Sequence, residues 1–301
     1  MRRLATLDVG SNSVTGLVAE ARGARWVPVY EGTWITRLGR GLEPGQPLSP
    51  DGLAETLEAV DAFAARASAL GADRLVGVAT AAAREASDGA RLVEGARVRG
   101  VELRIVSGEE EAELTWLAAW KEFGAAGEPL AVVDVGGRST EVVWGRGPSP
   151  SYQVSLATGS VLLTERHIAA DPPSPADREA LQGEIERVAR LVSLTAPLRR
   201  VVATAGTATT LASVWLALPR YDAQRIHGCT LTATQLSHLV DRLWSMPCSE
   251  RARLPGMEPR RADVLPAGAA LLRCLLRHLG ASAVTVSDRG VRWGLLYRLA
   301  G

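Results

Sequence analysis

Two short segments of the sequence each place an aspartate at the end of an apolar run and continue directly into a turn of small residues. The first is LDVGSNSVT, which begins at residue 7, and the second is VDVGGRSTE, which begins at residue 133. They align without a gap, so that Asp8 corresponds to Asp134 and Gly10 to Gly136. One copy would be explained by an ordinary hairpin, because glycine and asparagine tolerate the positive φ angles of tight turns. A second copy near the start of the other half favours a site shared by two similar domains.

The two turns have the composition of phosphate-binding loops. Backbone N–H groups that point into a turn form a concave site for phosphate oxygens, and serine or threonine hydroxyls add further donors. An aspartate beside such a loop repels phosphate unless a cation lies between them. Mg²⁺ held by one or two carboxylates fits this role, with Mn²⁺ as a substitute. Two such hairpins that face each other across a cleft would bind a phosphate chain from both sides.

Three further segments contain residues with more than one interpretation. The turn in ATAGTATTLA contains Gly206 and Thr207, which either begin a helix with threonine caps or bind a further phosphate or a nucleotide. The run SGEEEAEL supplies consecutive glutamates at a helix start. In one interpretation the glutamates lie on a solvated face and interact favourably with the positive end of the helix dipole. In the other, one of them is a base that activates water. Arg84 in TAAARE is either a surface arginine or a group that stabilises charge in a phosphoryl-transfer transition state.

Composition narrows the class of protein. The chain has 301 residues, of which 47% are hydrophobic and 22% charged, and this length favours two globular domains. The net charge of +1 gives no electrostatic basis for a nucleic-acid or membrane partner. Lys121 is the only lysine and does not lie in a GxxxxGK[ST] pattern, which excludes a Walker A loop. The three cysteines lack CxxC spacing, which fits a cytoplasmic protein. Neither a signal peptide nor an apolar run long enough to cross a bilayer is predicted.

Alternating strand and helix patterns place these motifs in an α/β fold. The turn-rich segment GAAGEP predicts a division into domains at 1–125 and 126–301, and each domain begins with one of the two loops. Apolar alternation predicts strands at 3–9, 13–21, 25–39, 74–81, 101–107 and 283–287, with a strand, turn and strand at 130–145. Helical periodicity predicts helices at 49–71, 83–97, 108–124, 174–196, 206–218, 232–245, 262–279 and 290–300.

Taken in order, these motifs resemble the exopolyphosphatase and guanosine pentaphosphate phosphatase family, Ppx/GppA, of the actin-like (ribonuclease H-like, ASKHA) superfamily. The similarity is carried by LDVGSNSVTGLVAE, VSGEEEAELTWL, VVDVGGRSTEVV, GTATTLA, LPGMEPRRADVLPAGA and SDRGVRWGLLYRL. The resemblance implies two actin-like domains around a central cleft. It also implies Mg²⁺-dependent hydrolysis that releases the terminal orthophosphate of polyphosphate, or the 5′ γ-phosphate of guanosine pentaphosphate, by a cytoplasmic homodimer.

The resemblance also implies roles for individual residues. Glu111 matches the catalytic base, Arg84 the arginine of its motif, and Glu141 an acidic position associated with catalysis and metal. Asp134 also matches an acidic position associated with metal and catalysis. With Asp8, which the pattern of the first loop places beside phosphate, the expected metal positions are Asp8, Asp134 and Glu141. The implied phosphate-binding positions are Gly10, Ser11, Asn12 and Ser13 in the first loop, Gly136, Gly137, Arg138, Ser139 and Thr140 in the second, and Gly206 and Thr207 in the third.

Four positions depart from the family pattern. Arg138 replaces the third glycine of the second loop, and Ala81, Leu162 and Trp293 replace a serine, an arginine and an acidic residue. These changes favour a second interpretation, a sensor that binds polyphosphate or guanosine penta- or tetraphosphate with little turnover. A third interpretation, an actin-like kinase or ATPase, fits the motifs less well. The Arg138 side chain either points to solvent or enters the cleft and pairs with phosphate or a neighbouring carboxylate.

Overall fold

A computed structural model describes residues 2–193 and 198–301, and the chain forms two units. The first unit comprises the chain up to Leu114 together with Val291–Gly301, and the second comprises Thr115–Gly290. Each unit contains a mixed sheet and helices, which confirms the predicted α/β class. The boundary predicted at 125/126 lies beyond the observed division. That division falls inside one continuous helix, whereas the sequence pattern marks only the end of that helix.

The first unit begins with three of the predicted strands, which form an antiparallel meander. Its elements are β1 (Arg3–Val9), β2 (Ser13–Arg22), β3 (Arg25–Ile35), α1 (Pro50–Ala69), β4 (Arg74–Ala79), α2 (Ala81–Glu85), α3 (Gly89–Val98), β5 (Glu102–Ile105) and the start of α4 (Gly108–Phe123). The strand order is β3-β2-β1-β4-β5, with β4 and β5 parallel to β1. Helix α1 begins as predicted, because Ser49 accepts a hydrogen bond from the Gly52 N–H and Pro50 occupies the first turn.

The single helix predicted at 83–97 is wrong, because this segment contains two helices, α2 and α3. The Asp88 side chain lies in the break and bonds to a distant segment: it accepts from the Leu48 N–H at 2.8 Å instead of capping α3. A Cβ atom added to Gly89 would lie 2.1 Å from the Ala83 carbonyl oxygen. Glycine therefore lets α3 begin in close contact with α2.

The second unit repeats the meander and adds further strands. Its elements, after the remainder of α4, are β6 (Leu130–Val135), β7 (Thr140–Gly145), β8 (Tyr152–Leu156), α5 (Ser160–His167), α6 (Pro175–Ala189), β9 (Arg200–Thr204), α7 (Ala205–Trp215), α8 (Ala223–Ile226), β10 (Thr230–Thr232), α9 (Ala233–Ser245), α10 (Cys248–Arg251), a 3₁₀ turn (Pro259–Arg261), α11 (Leu265–His278) and β11 (Ala283–Val286). The chain ends with α12 (Val291–Ala300) in the first unit. The strand order of the second unit is β10-β11-β9-β6-β7-β8, with β9 and β11 parallel to β6.

Helix α6 begins where it was predicted, and a capping box forms its start. The Ser174 hydroxyl accepts from the Asp177 N–H, and the Asp177 carboxylate accepts from the Ser174 N–H. The helix ends at Ala189, before the predicted end, and residues 194–196 of that prediction lie outside the described residues. Across the described ranges, none of the helices is both long and apolar enough to cross a membrane.

Helix α12 approaches its neighbours closely at a glycine. A Cβ atom added to Gly294 would lie 1.9 Å from the carbonyl oxygen of Leu114, which is itself buried. Near the start of the same helix, the Thr6 hydroxyl on β1 donates to the Arg292 carbonyl at 2.9 Å. The backbone of the first unit therefore leaves no room for a side chain at position 294.

We expect Gly294→Ala to lower the free energy of unfolding by about 1–3 kcal/mol, the usual effect of forcing atoms into a packed contact. Gly183 in α6 is the matched control, because it is exposed and no described atom lies within 4 Å of an added Cβ. Gly183→Ala should raise the free energy of unfolding by roughly 0.5–1 kcal/mol, since alanine is the better helix former. Urea unfolding followed by circular dichroism measures both, and a stabilised Gly294→Ala protein would contradict the close contact.

Candidate active site

The first predicted phosphate loop follows β1 and closes through a glycine turn. Asp8 lies on β1 directly opposite Thr15 of β2. The Gly10 N–H donates to the Ser13 carbonyl at 2.9 Å, and a Cβ atom added to Gly10 would lie 3.2 Å from that oxygen. Glycine therefore allows the backbone to close tightly just after the aspartate.

The segment that follows β3 binds the carbonyl oxygens of the first loop. The Gly39 N–H donates to the Ser11 carbonyl at 2.7 Å. The Thr36 and Arg37 N–H groups both donate to the Asn12 carbonyl at 3.1 Å. Because these N–H groups bond to the loop rather than to β2, the third strand ends earlier than predicted. The carbonyl groups of the loop are thus fixed by backbone contacts within the first unit.

The second loop repeats this turn and is anchored by helix α5. The Gly136 N–H donates to the Ser139 carbonyl at 3.1 Å, which is the same bond as in the first loop. The Ser160 N–H donates to the Gly136 carbonyl at 2.9 Å, and the Val161 N–H donates to the Gly137 carbonyl at 2.8 Å. The N–H groups that begin a helix have no partner within it, and here they hold the carbonyl side of the loop. The gapless sequence alignment therefore corresponds to a repeated backbone turn.

Two buried carboxylates flank the second loop. Asp134 on β6 pairs directly with Glu141 on β7, so both side chains lie on one face of the sheet. Asp134 is 6% exposed and Glu141 is 1% exposed. The Thr115 hydroxyl donates to Asp134 Oδ2 at 3.2 Å, and the Ser155 hydroxyl donates to Glu141 Oε1 at 2.7 Å. Loss of solvation raises the pKa of Asp134 to about 6, while the hydrogen bond from Thr115 acts in the opposite direction.

This pair has the donor chemistry of a magnesium site. Mg²⁺ prefers carboxylate and water oxygens and is usually held by one or two carboxylates together with substrate phosphates. In the described part of the chain, no group of three or more histidine, cysteine, aspartate or glutamate residues comes together, so a closed cage of protein ligands is not formed there. A divalent cation would also offset the cost of burying Asp134 and Glu141 side by side. The residues present therefore fit the ion.

Glu111 and Arg84, which are far apart in the sequence, are brought together in the first unit. Glu111 lies in the first turn of α4 and is 7% exposed. Arg84 Nη1 donates to Glu111 Oε2 at 3.3 Å and to the Val106 carbonyl at 2.8 Å. The guanidinium thereby orients the Glu111 carboxylate. Arg84 is half-buried and bridges two elements, which does not fit the interpretation as an isolated surface arginine.

The other two glutamates of the run lie in different surroundings. Glu110 accepts hydrogen bonds from Arg104 at 2.5 and 2.6 Å and from Arg298 at 2.6 Å, and Glu109 is exposed. The hydrogen bonds and charge of Arg104 hold the pKa of Glu110 below its usual value. Of the three consecutive glutamates, Glu111 is the buried one. The sequence run alone does not distinguish them.

The third predicted loop begins α7 and contacts an arginine that the sequence analysis did not single out. Ala205 has a φ of +64°, a left-handed conformation that is unusual for a residue with a side chain. A Cβ atom added to Gly206 would lie 1.2 Å from Arg261 Nη1, so the guanidinium lies directly against the glycine backbone. The Thr207 hydroxyl donates to the Val135 carbonyl at 3.1 Å and connects this loop to the start of the second loop. The only sequence signal for Arg261 is its place in the motif LPGMEPRRADVLPAGA.

The four departures from the family pattern are all buried. Arg138 is 1% exposed, so the solvent-facing alternative for its side chain is wrong. Ala81 and Leu162 are 1% and 8% exposed. Trp293 is 1% exposed, and its indole N–H donates to Glu31 Oε1 at 3.1 Å within the first unit. Three of the departures are apolar residues in packed surroundings, and Arg138 alone introduces a buried charge.

Comparisons with known proteins identify the family of this chain. Exopolyphosphatase 2 of Mycobacterium tuberculosis is 35% identical over 100% of this chain and 99% of its own length. Exopolyphosphatase 1 of Mycobacterium bovis is 32% identical over 98% of this chain and 88% of its own length. The crystal structure of the Aquifex aeolicus Ppx/GppA family member superposes with a TM-score of 0.84 at 30% identity, covering 99% of this chain and 97% of that one. The model of the Ppx/GppA phosphatase family matches residues 17–301, and the chain belongs to this family.

Proposed function

We propose that this protein is an exopolyphosphatase, which removes terminal orthophosphate from inorganic polyphosphate by attack of water. The observation that carries the proposal is the buried pair Asp134 and Glu141 beside a glycine and serine loop. Two carboxylates next to a phosphate loop repel a polyanion unless a divalent cation binds with it, so their position fits a site that binds both. The relatives at 32–35% identity that are called exopolyphosphatases support the same substrate class.

In the first unit, the proposed catalytic base is Glu111. Its carboxylate accepts the proton of the attacking water, and Arg84 holds the carboxylate in one orientation. The water oxygen forms a bond to the terminal phosphorus, the bridging P–O bond breaks, and the bridging oxygen leaves with the shortened chain. The backbone turn that begins at Gly10 offers donors to phosphate oxygens, and Asp8 is proposed as a further metal-associated carboxylate.

In the second unit, the proposed roles are phosphate binding and metal binding. Phosphate binding is assigned to the second and third loops, which contain Gly136, Gly137, Ser139, Thr140, Gly206 and Thr207. The Gly136 N–H and the Thr140 and Thr207 hydroxyls donate to protein carbonyls and hold the loops in shape, so the donors to phosphate are the other groups of these loops. Arg261 is assigned to the same anion site because its guanidinium lies against Gly206. A divalent cation held by Asp134 and Glu141 supplies positive charge to the phosphate oxygens when it is bound.

The identity of the substrate is tested by comparing candidate phosphoanhydrides. We expect orthophosphate release with Mg²⁺ from long-chain polyphosphate, and guanosine pentaphosphate is tested beside it as a second substrate. ATP is the control for the kinase or ATPase interpretation, and p-nitrophenyl phosphate is the control for a nonspecific monoesterase. Faster release from ATP than from polyphosphate would contradict the proposal. Tight polyphosphate binding without release would support the sensor interpretation.

Three implications of the family resemblance stay predictions. They are the homodimer, the cytoplasmic location and the use of guanosine penta- or tetraphosphate as a ligand. The free cysteines of the chain agree with a reducing compartment. Size-exclusion chromatography with light scattering measures the first, and a monomer at micromolar concentration would contradict it.

A further inference from the structure

The two buried carboxylates of the second unit belong to a polar row that crosses three strands. Asp134 on β6 pairs with Glu141 on β7, and Glu141 pairs with Ser155 on β8. Directly paired residues of antiparallel strands point to the same face of a sheet, so the three side chains lie side by side. The Ser155 hydroxyl donates to Glu141 Oε1 at 2.7 Å. The register of the meander thus places a hydrogen-bond donor next to Glu141.

Helix α4 supplies a second donor, which bonds to Asp134. The Thr115 hydroxyl donates to Asp134 Oδ2 at 3.2 Å, and Thr115 is 1% exposed. A threonine inside a helix commonly bonds to the carbonyl of the residue four positions earlier. Thr164 in α5 does so, since its hydroxyl donates to the Ser160 carbonyl at 2.7 Å. The Thr115 hydroxyl instead bonds to a side chain of the sheet.

The first unit repeats the row with different side chains. Asp8 pairs with Thr15, and Thr15 pairs with Thr33, so a threonine occupies the position that Glu141 has in the second unit. Asp8 and Thr15 are half-buried, and Thr33 is exposed. Of the two rows, the one in the second unit therefore has two carboxylates, deep burial and a hydroxyl bonded to each carboxylate.

We infer that Thr115 and Ser155 are positioning residues that orient Asp134 and Glu141 for a divalent cation and raise the preference of the site for Mg²⁺ relative to Ca²⁺. The inference rests on the metal site of the proposed function. Hydrogen bonds fix the orientation of ligating side chains, and their loss commonly lowers metal affinity by about 10–100-fold. Mg²⁺ requires near-ideal octahedral geometry, whereas Ca²⁺ accepts flexible coordination. Carboxylates that turn more freely should therefore lose more affinity for Mg²⁺ than for Ca²⁺.

The test measures cation binding without relying on activity. Calorimetric titration of substrate-free protein with Mg²⁺ should show about tenfold weaker binding for Thr115→Val and for Ser155→Ala than for the natural protein. The affinity for Ca²⁺ should fall by less than about threefold, so that the preference for Mg²⁺ is reduced. Thr115→Ser and Ser155→Thr keep the hydroxyls and should restore the natural preference. Urea unfolding of each variant checks that the fold survives.

Two threonines that do not bond to these carboxylates provide matched controls. Thr164→Val removes a helical hydroxyl of the same unit that bonds to a backbone carbonyl. Thr33→Val changes the residue that occupies the position of Ser155 in the row of the first unit. Both replacements should leave the affinities for Mg²⁺ and Ca²⁺ unchanged.

The inference is overturned for each hydroxyl whose removal leaves the Mg²⁺ affinity unchanged, or lowers the affinities for Mg²⁺ and Ca²⁺ equally. If Asp134→Asn abolishes Mg²⁺ binding in either case, the proposed metal site stands without the role for the hydroxyls. If the natural protein binds neither ion, both the metal site and the inference fail.

Discussion

Replacing Glu111 by glutamine is expected to lower the turnover number for polyphosphate hydrolysis by about 10²-fold or more, the usual contribution of a positioned general base. Glutamine keeps the length of the side chain and an oxygen that can accept the Arg84 hydrogen bond, now 3.3 Å long. It removes the basic carboxylate. The fold and the affinity for polyphosphate should therefore survive, and initial rates of orthophosphate release together with equilibrium binding measure the two effects separately.

The neighbouring Glu110 provides the control for this prediction. Glu110 lies in the same turn of α4 but bonds to Arg104 and Arg298 at the surface. Glu110→Gln should change the turnover number by less than about twofold, because surface ion pairs contribute little. An unchanged rate in Glu111→Gln would move the role of base to another residue. A loss of rate in Glu110→Gln alone would assign that role to the surface residue.

Replacing Asp134 by asparagine is expected to abolish the response of the enzyme to divalent ions. Chelator should remove activity from the natural protein, and added Mg²⁺ or Mn²⁺ should restore it. In Asp134→Asn, the rate at saturating metal should stay at least about 10²-fold lower, because one of the two buried carboxylates is gone. Asp241→Asn is the control, since Asp241 is an exposed residue of the second unit that pairs with Arg273. Full activity of the natural protein in excess chelator would contradict the metal site.

The same substitution predicts a change in the pH dependence of stability. Burial raises the pKa of Asp134 to about 6 in the folded protein, above the value of about 3.9 in an unfolded chain. The folded state therefore binds this proton more tightly. In chelator, the contribution of Asp134 to the free energy of unfolding should rise as the pH falls through 6 toward 4. Asp134→Asn should lack this rise, and urea unfolding at several pH values measures it. An identical pH profile in both proteins would contradict the desolvation of Asp134.

The repeated part of the fold is the part that the sequence predicts best. Each meander of antiparallel strands is encoded by local alternation, and each turn by a glycine that precedes a serine-containing segment. The pairing of Asp134 with Glu141 follows from the same local pattern, because a hairpin fixes the register of its own strands. Local sequence patterns thus account for both loops and for the two buried carboxylates beside the second loop.

The remaining features depend on contacts between distant parts of the chain. Nothing local distinguishes Glu111 from Glu110, since the choice depends on which side chain meets Arg84. The contact of Arg261 with Gly206 joins segments that only the fold brings together. The close packing of Gly159 against the backbone of the turn at Gly137 and Arg138 also joins segments that are separate in the sequence. Periodicity and propensity contain no information on such tertiary contacts.

The most direct measurement of the central claim is the time course of orthophosphate release from long-chain polyphosphate by the purified protein. With Mg²⁺ present, we predict orthophosphate from the earliest time points, with residual chains that shorten from their ends. We predict no release in chelator, and release slowed by about 10²-fold or more in Glu111→Gln. Chains that stay intact in the presence of the natural protein and Mg²⁺, with no more orthophosphate than Glu111→Gln produces, would contradict the assignment as an exopolyphosphatase.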